Sequence, residues 1–151
     1  MKIGVYSIEK SSSQWVDGII KEYIKHSSRY ATVEDVVVFN KDIAKAQTMD
    51  AQAAKEAYTR AFEPHMKGFC VALDVQGETL GSASFAQLIA SASDVRFFIG
   101  GAFGFSTDFL AKHQKVISLS RLTYAHKIAK TVLFEQIYRG LCINNHHPYH
   151  K

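Results

Sequence analysis

Short apolar runs recur along the chain, separated by stretches in which the apolar residues follow helical spacing. The runs are rich in Val, Ile and Phe, and continuous runs of this kind are typical of strands covered on both faces. The predicted strands are KIGVYSI (2–8), VEDVVVF (33–39), GFCVALDV (68–75), DVRFFIGG (94–101) and QKVISLS (114–120). Because predicted strands alternate with predicted helices, we expect an α/β fold around a largely parallel sheet.

Helical spacing predicts helices over residues 13–26, 41–62, 82–92 and about 124–141. The first has one apolar face, formed by Trp15, Ile19, Ile20, Tyr23 and Ile24. The second is rich in alanine, a strong helix former, and a break follows it at Pro64 and Gly68. Ser82 is a possible N-cap of the third helix.

Length and composition predict one domain over residues 1–151, because a chain of 151 residues with 47% hydrophobic content can bury a core. No apolar run approaches the ~20 residues of a membrane span, and the first residues are typical of a strand, so we expect a cytoplasmic protein with no membrane partner. Cys70 and Cys142 lie far apart, which favours buried thiols over a disulfide framework. The net charge of +4 suits a polyanion such as RNA without identifying one.

A glycine-rich loop follows one of the predicted strands, in the segment FFIGGAFGFS (97–106). Gly100, Gly101 and Gly104 allow backbone conformations with positive φ and leave backbone N–H groups accessible to a ligand. The spacing matches neither the dinucleotide-binding fingerprint nor a phosphate-binding Walker loop. The residues alone leave two interpretations equally open, a ligand pocket or a tight turn between strand and helix that binds no ligand.

The next strand leads into a second polar loop, SLSRLTYAHKIAK (118–130). Two neighbouring strands that end in polar loops at one sheet edge would enclose a pocket. His126 in this segment is, on sequence grounds, more typical of a capping or packing histidine than of a catalytic one. In the same way Glu135 and Arg139, four residues apart, are expected to form an i,i+4 ion pair worth ~0.3 kcal/mol.

The chain ends in NNHHPYHK (144–151), which holds three of the seven histidines. A zinc site is not indicated, because no cysteine or carboxylate accompanies His146, His147 and His150, and we predict no metal. Chain ends fray unless they are tied down. However, Pro148 restricts the backbone, and Tyr149 brings an aromatic ring that favours burial.

Three blocks together resemble the RlmH-type ribosomal RNA methyltransferases of the SPOUT class: FFIGGAFGFS, ISLSRLTYAHKIAKTVLFEQIYRG and NNHHPYHK. The blocks occur in the expected order, and the resemblance covers the whole chain. It implies a homodimeric α/β SPOUT fold, with a largely parallel sheet flanked by helices and a C-terminal trefoil knot. Topology rules alone argue against a knot, so only the resemblance implies this one.

The resemblance also implies that S-adenosylmethionine (SAM) binds in the knotted loops. The implied cofactor contacts are Leu73, Gly100, Ser120, Arg121, Leu122, Thr123, Tyr124 and Ala125, with Gly101 and Gly104 shaping the same pocket. The loop departs from the family pattern at Ala102 and Phe103, where many relatives carry a Pro or Ser and an acidic or amide residue.

The reaction that the resemblance implies is methylation of N3 of a pseudouridine in 23S ribosomal RNA of the large subunit, on the assembled ribosome. The N3 proton must be lost, and histidine has a suitable pKa near ~6.5. His150 is the first candidate for this base and His126 the second, while Arg139 would position phosphate or the anionic base. Tyr149 would pack near the cofactor or stack on a nucleotide.

Two other functions compete with methyl transfer. One is a non-catalytic RNA-binding or ribosome-binding α/β domain. The other is a dinucleotide-binding oxidoreductase, which the glycine spacing and the lack of an acidic ribose partner disfavour.

Overall fold

A computed structural model gives the fold and describes residues 1–10 and 13–151. In these ranges five strands form one sheet: β1 (Lys2–Ile8), β2 (Thr32–Val38), β3 (Phe69–Thr79), β4 (Asp94–Ile99) and β5 (Lys115–Ser118). The strand order is β2-β1-β4-β3-β5, and every neighbouring pair is parallel. The predicted α/β class with a parallel sheet is therefore confirmed, while the knot stays a prediction.

Helices cover both faces of this sheet. They are α1 (Gln14–Ser27), α2 (Lys41–Gln47), α3 (Ala51–Phe62), α4 (Ser82–Ala90), α5 (Thr107–Ala111) and α6 (His126–Asn144). One core layer packs the sheet against α1, α4 and α6, and the other packs it against α2, α3 and α5. Neighbours on β4 divide between the layers, since Phe97 belongs to the first and Phe98 to the second. Burial on both faces explains the continuous apolar runs of the strands.

The prediction of one helix over residues 41–62 was wrong. Asp50 interrupts it, because its carboxylate accepts a hydrogen bond of 2.7 Å from the backbone N–H of Ala53 and so caps the start of α3. Asn40 caps α2 in the same way. The predicted break is present as a 3-10 turn at Glu63–His65, followed by Gly68 with a φ of 67°.

Other helix details differ from the prediction. On α1, Ile20 is buried but Trp15 and Ile19 are 62% and 38% exposed, so the predicted apolar face is only partly a core face. Ser82 is the first residue of α4 and Gly81 its N-cap; the Ser82 hydroxyl donates to Gln136 Oε1 on α6 instead. The short helix α5 was not predicted. Cys70 and Cys142 are buried free thiols, as expected.

A bulge in β3 shapes the edge of the sheet where polar loops converge. Both Leu73 and Glu78 pair with Ile117 of β5, so the intervening residues 74–77 leave the ladder. Only glycine fits at position 77, because a Cβ there would lie 2.5 Å from the backbone carbon of Ile117. Within the described ranges, no helix is both long and apolar enough to cross a membrane.

Candidate functional site

A cavity of about 540 Å³ opens where β3, β4 and β5 reach their carboxyl ends. Eight of the ten residues expected to contact SAM line it: Leu73, Gly100, Gly101, Gly104, Ser120, Leu122, Thr123 and Tyr124. Arg121 and Ala125 belong to the same loop but are exposed and do not line the cavity. His126 lines it as well. The structure thus brings the two polar loops together at one edge of the sheet. The expectation that their strands are neighbours was wrong, because β3 lies between β4 and β5.

The glycine loop forms one wall of the cavity through a tight turn. The Gly104 N–H donates a hydrogen bond of 3.0 Å to the Gly101 carbonyl, and Gly104 has a φ of 69°. A Cβ at Gly101 would lie 2.4 Å from the hydroxyl of Tyr58, which itself donates to Gln47 Oε1 at 2.6 Å. The structure therefore shows a tight turn that is also a cavity wall, and a ligand bound at this turn stays a prediction.

The loop after β5 forms the facing wall. The Ser118 hydroxyl donates to the Ser120 carbonyl at 2.8 Å, and the Ser120 hydroxyl accepts from the Leu122 N–H at 3.0 Å. These bonds fix the loop backbone without a regular element. Leu122 lines the cavity yet is 73% exposed, which places an apolar side chain at the cavity mouth.

Sequence reasoning gave no role to three further groups at the cavity, Lys55 of α3 and Asp74 and Gln76 of the β3 bulge. The Asp74 carboxylate accepts from the Gln76 N–H at 2.9 Å, which shapes the bulge. Lys55 and Asp74 bring one positive and one negative side chain to the cavity lining. The place of Asp74 at the end of a predicted strand could have indicated that it lines the cavity. No feature of the sequence around Lys55 indicates the same for that residue.

A buried network of charged residues lies at the first turns of α6. Lys130 is 1% exposed, and its Nζ contacts Glu9 Oε2 at 2.6 Å and Asp35 Oδ1 at 2.7 Å. The hydroxyl of Ser7 donates to the same Glu9 oxygen at 3.0 Å. Glu9 follows β1 and Asp35 lies on β2, so this network ties α6 to two neighbouring strands.

His126 joins this network to the cavity. Its Nδ1 lies 3.8 Å from Glu9 Oε1, and its Nε2 is buried with no hydrogen-bond partner among residues 1–10 and 13–151. Burial lowers the pKa of His126, whereas Glu9 raises it and Lys130 lowers it further. The ring is therefore held neutral at the cavity wall.

A second cluster lies at the other end of α6. Arg139 donates from Nε to Glu135 Oε1 at 3.0 Å, which confirms the expected i,i+4 pair. Tyr149 donates its hydroxyl to the same oxygen at 3.0 Å, and the Arg139 guanidinium lies 4.7 Å from the Tyr149 ring centre. His150 Nδ1 is 3.3 Å from Arg139 Nη1. Three of the four candidate catalytic residues therefore form one cluster.

Packing against α6 also orders the C-terminal tail. The N–H of His147 donates to the Cys142 carbonyl at 2.9 Å, and His146 takes a left-handed φ of 56° that turns the chain back. The Tyr149 ring then packs on Tyr138, with centres 4.7 Å apart. Burial raises the pKa of Tyr149, and hydrogen bonding to Tyr23 and Glu135 adds to the rise. The phenol is thereby held protonated as a donor.

The tail histidines do not form a metal-binding group. Among residues 1–10 and 13–151, no three His, Cys, Asp or Glu side chains are placed to hold a metal ion.

The cavity and the tail cluster are well separated within the chain. Along α6, the 13 residues from His126 to Arg139 correspond to about 20 Å of helix. None of Arg139, Tyr149 and His150 lines the cavity. The fourth candidate, His126, is thus alone at the cavity.

The chain is similar over its full length to known proteins. A family model described as "Predicted SPOUT methyltransferase" matches residues 1–150. The chain is 53% identical, over 151 residues and the full length of both chains, to the ribosomal RNA large subunit methyltransferase H of Campylobacter concisus (strain 13826). The protein of the same name from Aliarcobacter butzleri (strain RM4018) is also 53% identical over both full lengths. That of Campylobacter jejuni (strain RM1221) is 46% identical, covering all of this chain and 97% of its own. The chain therefore belongs to the SPOUT methyltransferase family.

Proposed function

We propose that this protein transfers the methyl group of SAM to N3 of a pseudouridine in 23S ribosomal RNA of the large subunit, acting on assembled ribosomes in the cytoplasm. The observation that carries the proposal is the cavity, which is lined by eight of the ten residues assigned to SAM in a chain whose full-length relatives are named for large-subunit rRNA methylation. The net charge of +4 is consistent with an RNA partner.

The cavity suits SAM in size and in the chemistry of its lining. Its volume lies within the ~300–1,000 Å³ range of small-molecule sites. Leu73 and Ile99 offer apolar surface to an adenine ring, and Lys55 and Asp74 offer opposite charges to the two ends of an amino acid. Gly104 lines the cavity, and a Cβ there would meet no protein atom within 4 Å, so its backbone is open to a ligand.

The chain's own contribution to the reaction is alignment and proton removal. SAM supplies a methyl group that its sulfonium already activates. The two loops would hold SAM, and aligning its methyl group with the attacking nitrogen can supply ~7–11 kcal/mol. His150 accepts the N3 proton, and Arg139 orients the uracil or a neighbouring phosphate.

A homodimer would bring the tail to the cavity. Since about 20 Å of helix separates His126 from Arg139, the tail of one subunit completes the site by meeting the cavity of its partner. Exposed apolar side chains on α1 and α6 support self-association: Trp15 is 62% exposed, Ile19 38% and Ile128 40%. The interface is then isologous, with two equivalent sites for each dimer.

Calorimetry with SAM, S-adenosylhomocysteine (SAH) and NADH, together with methylation of ribosomes that lack the modification, tests the function. SAM and SAH should bind in the presence of chelator, and one methyl group per ribosome should appear at the pseudouridine. Ribosome binding without SAM binding would favour the non-catalytic alternative, and NADH binding would favour the oxidoreductase. Binding to ribosomes should also weaken with salt.

Mixed dimers test the shared site. Thr123→Trp fills the cavity mouth, and deletion of residues 146–151 removes the tail. Each variant alone should be inactive as a dimer, but mixing them should restore activity at one of the two sites, because one site combines an intact cavity with an intact tail. No recovery in dimers shown by sedimentation to have exchanged subunits would contradict a shared site.

A further inference from the structure

The buried charges beneath the cavity have no part in the proposed chemistry. Lys130 is 1% exposed and cannot reach a substrate, while Glu9 does not line the cavity. Burying ionised groups is costly even when they are paired, and apolar side chains of the same size often serve stability better. A buried ion network at a ligand site therefore suggests a role in ligand binding.

The network carries unequal charge. Lys130 contributes one positive charge, while Glu9 and Asp35 each contribute a negative charge, which leaves one negative charge in excess. The neutral ring of His126 stands between these carboxylates and the cavity, with its Nδ1 3.8 Å from Glu9. Lys127 is the other charged residue on the first turn of α6 that influences His126. The side chains of Glu9 and Lys130 are 6% and 2% exposed, so solvent screens the excess charge weakly.

We propose that this anionic network makes the cavity prefer the cationic methyl donor over its neutral demethylated product, with Glu9 as a specificity-determining residue. SAM carries one positive charge more than SAH because of its sulfonium, and the two ligands otherwise share their polar groups. The excess negative charge attracts SAM, and this attraction disappears when the methyl group leaves. Release of SAH is thereby favoured after each transfer.

Two substitutions, each of which removes one of the two negative charges of the network, test the effect of the excess charge. Glu9→Gln leaves Lys130 paired with Asp35, and Asp35→Asn leaves Lys130 paired with Glu9, so each variant keeps a buried ion pair while removing one negative charge. The matched control is Glu34→Gln. Glu34 lies on the same strand as Asp35, and its carboxylate forms an exposed ion pair with Lys2 at 3.1 Å.

Calorimetric titration of each variant with SAM and with SAH at neutral pH gives the ratio of the two dissociation constants. Glu9→Gln should weaken SAM binding about 3- to 10-fold and SAH binding less than twofold. Asp35→Asn should shift the ratio in the same direction by a smaller amount, because Glu9 is the carboxylate that lies beside His126 at the cavity wall. Glu34→Gln should leave the ratio unchanged.

The inference rests on the proposed function, and the titrations separate the two. Wild-type protein that binds neither ligand would overturn both. If the wild type binds both ligands but the ratio is the same in Glu9→Gln and Asp35→Asn, only the charge-based preference is overturned. Equal weakening of SAM and SAH would show that the network acts on the fold of the pocket alone and would likewise overturn it.

Discussion

Each end of α6 carries a basic residue paired with a carboxylate, but one pair is buried and the other is partly exposed. At its start, Lys130 contacts the carboxylates of Glu9, which follows β1, and of Asp35 on β2; the side chains of Lys130 and Glu9 are only 2% and 6% exposed. At its end, Arg139 pairs with Glu135 where both side chains are partly exposed, at 25% and 19%. The first pair is part of the fold, whereas the second stays within reach of a ligand.

This difference follows from burial. A buried charge that loses its partner cannot be rescued by water, so the start of α6 is fixed to the sheet. At the other end the guanidinium of Arg139 is held between Glu135, Tyr149 and His150 and keeps an exposed edge. One helix therefore anchors the cavity at one end and carries, at the other, the polar cluster that we propose as the RNA-contacting part of the site.

Deletion of the tail is the strongest test of the polar cluster at the C-terminal end of α6. Deletion of residues 146–151 should lower methyl transfer to ribosomes by about 10²- to 10⁴-fold, because it removes the proposed proton acceptor His150. The SAH affinity should stay near that of the wild type, since no residue of the tail lines the cavity, whereas the melting temperature should fall by a few degrees because Tyr149 no longer packs on Tyr138. His146→Ala, at an exposed position, is the control and should keep most activity. Near-normal methylation by the truncated protein would exclude a catalytic tail.

Breaking the buried pair tests the first end. Lys130→Met leaves Glu9 buried without its cation and should lower the free energy of unfolding by about 3–5 kcal/mol. The matched control is Lys2→Met, which breaks an exposed pair with Glu34 and should cost about 0–1 kcal/mol. Urea titration of both variants gives the comparison. Equal losses would mean that the network contributes no more than a surface pair.

Much of the sheet could be predicted because both of its faces are buried. Runs such as residues 2–8 and 94–99 need no long-range information to be recognised as strands. The helix prediction failed at Asp50, where a local cap outweighs the high helix propensity of the surrounding alanines. Strand ends and glycines also located the cavity, because parallel strands bring their carboxyl ends together.

The buried network could not be predicted in this way. Lys130 lies on the helix face that also buries Leu133 and Ile137. A lysine on a buried face indicates that it pairs with an acidic residue, but the helix sequence does not identify that residue. Its partner Glu9 is 121 residues away in the chain. Spacing within α6 carries no information on that contact. The tail cluster was likewise implied only by the family resemblance, since no periodic pattern positions residues 146–151.

A smaller effect is expected from the tail's own anchor. Tyr149→Phe removes the hydroxyl that donates to Glu135 and should cost about 1 kcal/mol of unfolding free energy. Tyr149→Leu should cost more, because it also removes the ring that packs on Tyr138 and beneath Arg139. Urea titration and methyl transfer, measured on both variants, separate anchoring from catalysis. A Phe variant as unstable as the Leu variant would show that the hydroxyl, not the ring, holds the tail.

The smallest effect concerns pH at the cavity end. Burial lowers the pKa of His126 from its ordinary value of 6.5, so the unfolded chain binds a proton at a higher pH than the folded protein does. The contribution of His126 to stability is therefore present above pH 6.5 and is lost as the pH falls from there toward its folded pKa. His126→Gln should flatten the fall in unfolding free energy below that pH, while His150→Gln, exposed at the other end of α6, serves as control. If His126→Gln leaves the slope of unfolding free energy against pH unchanged, His126 does not cause the loss of stability at low pH.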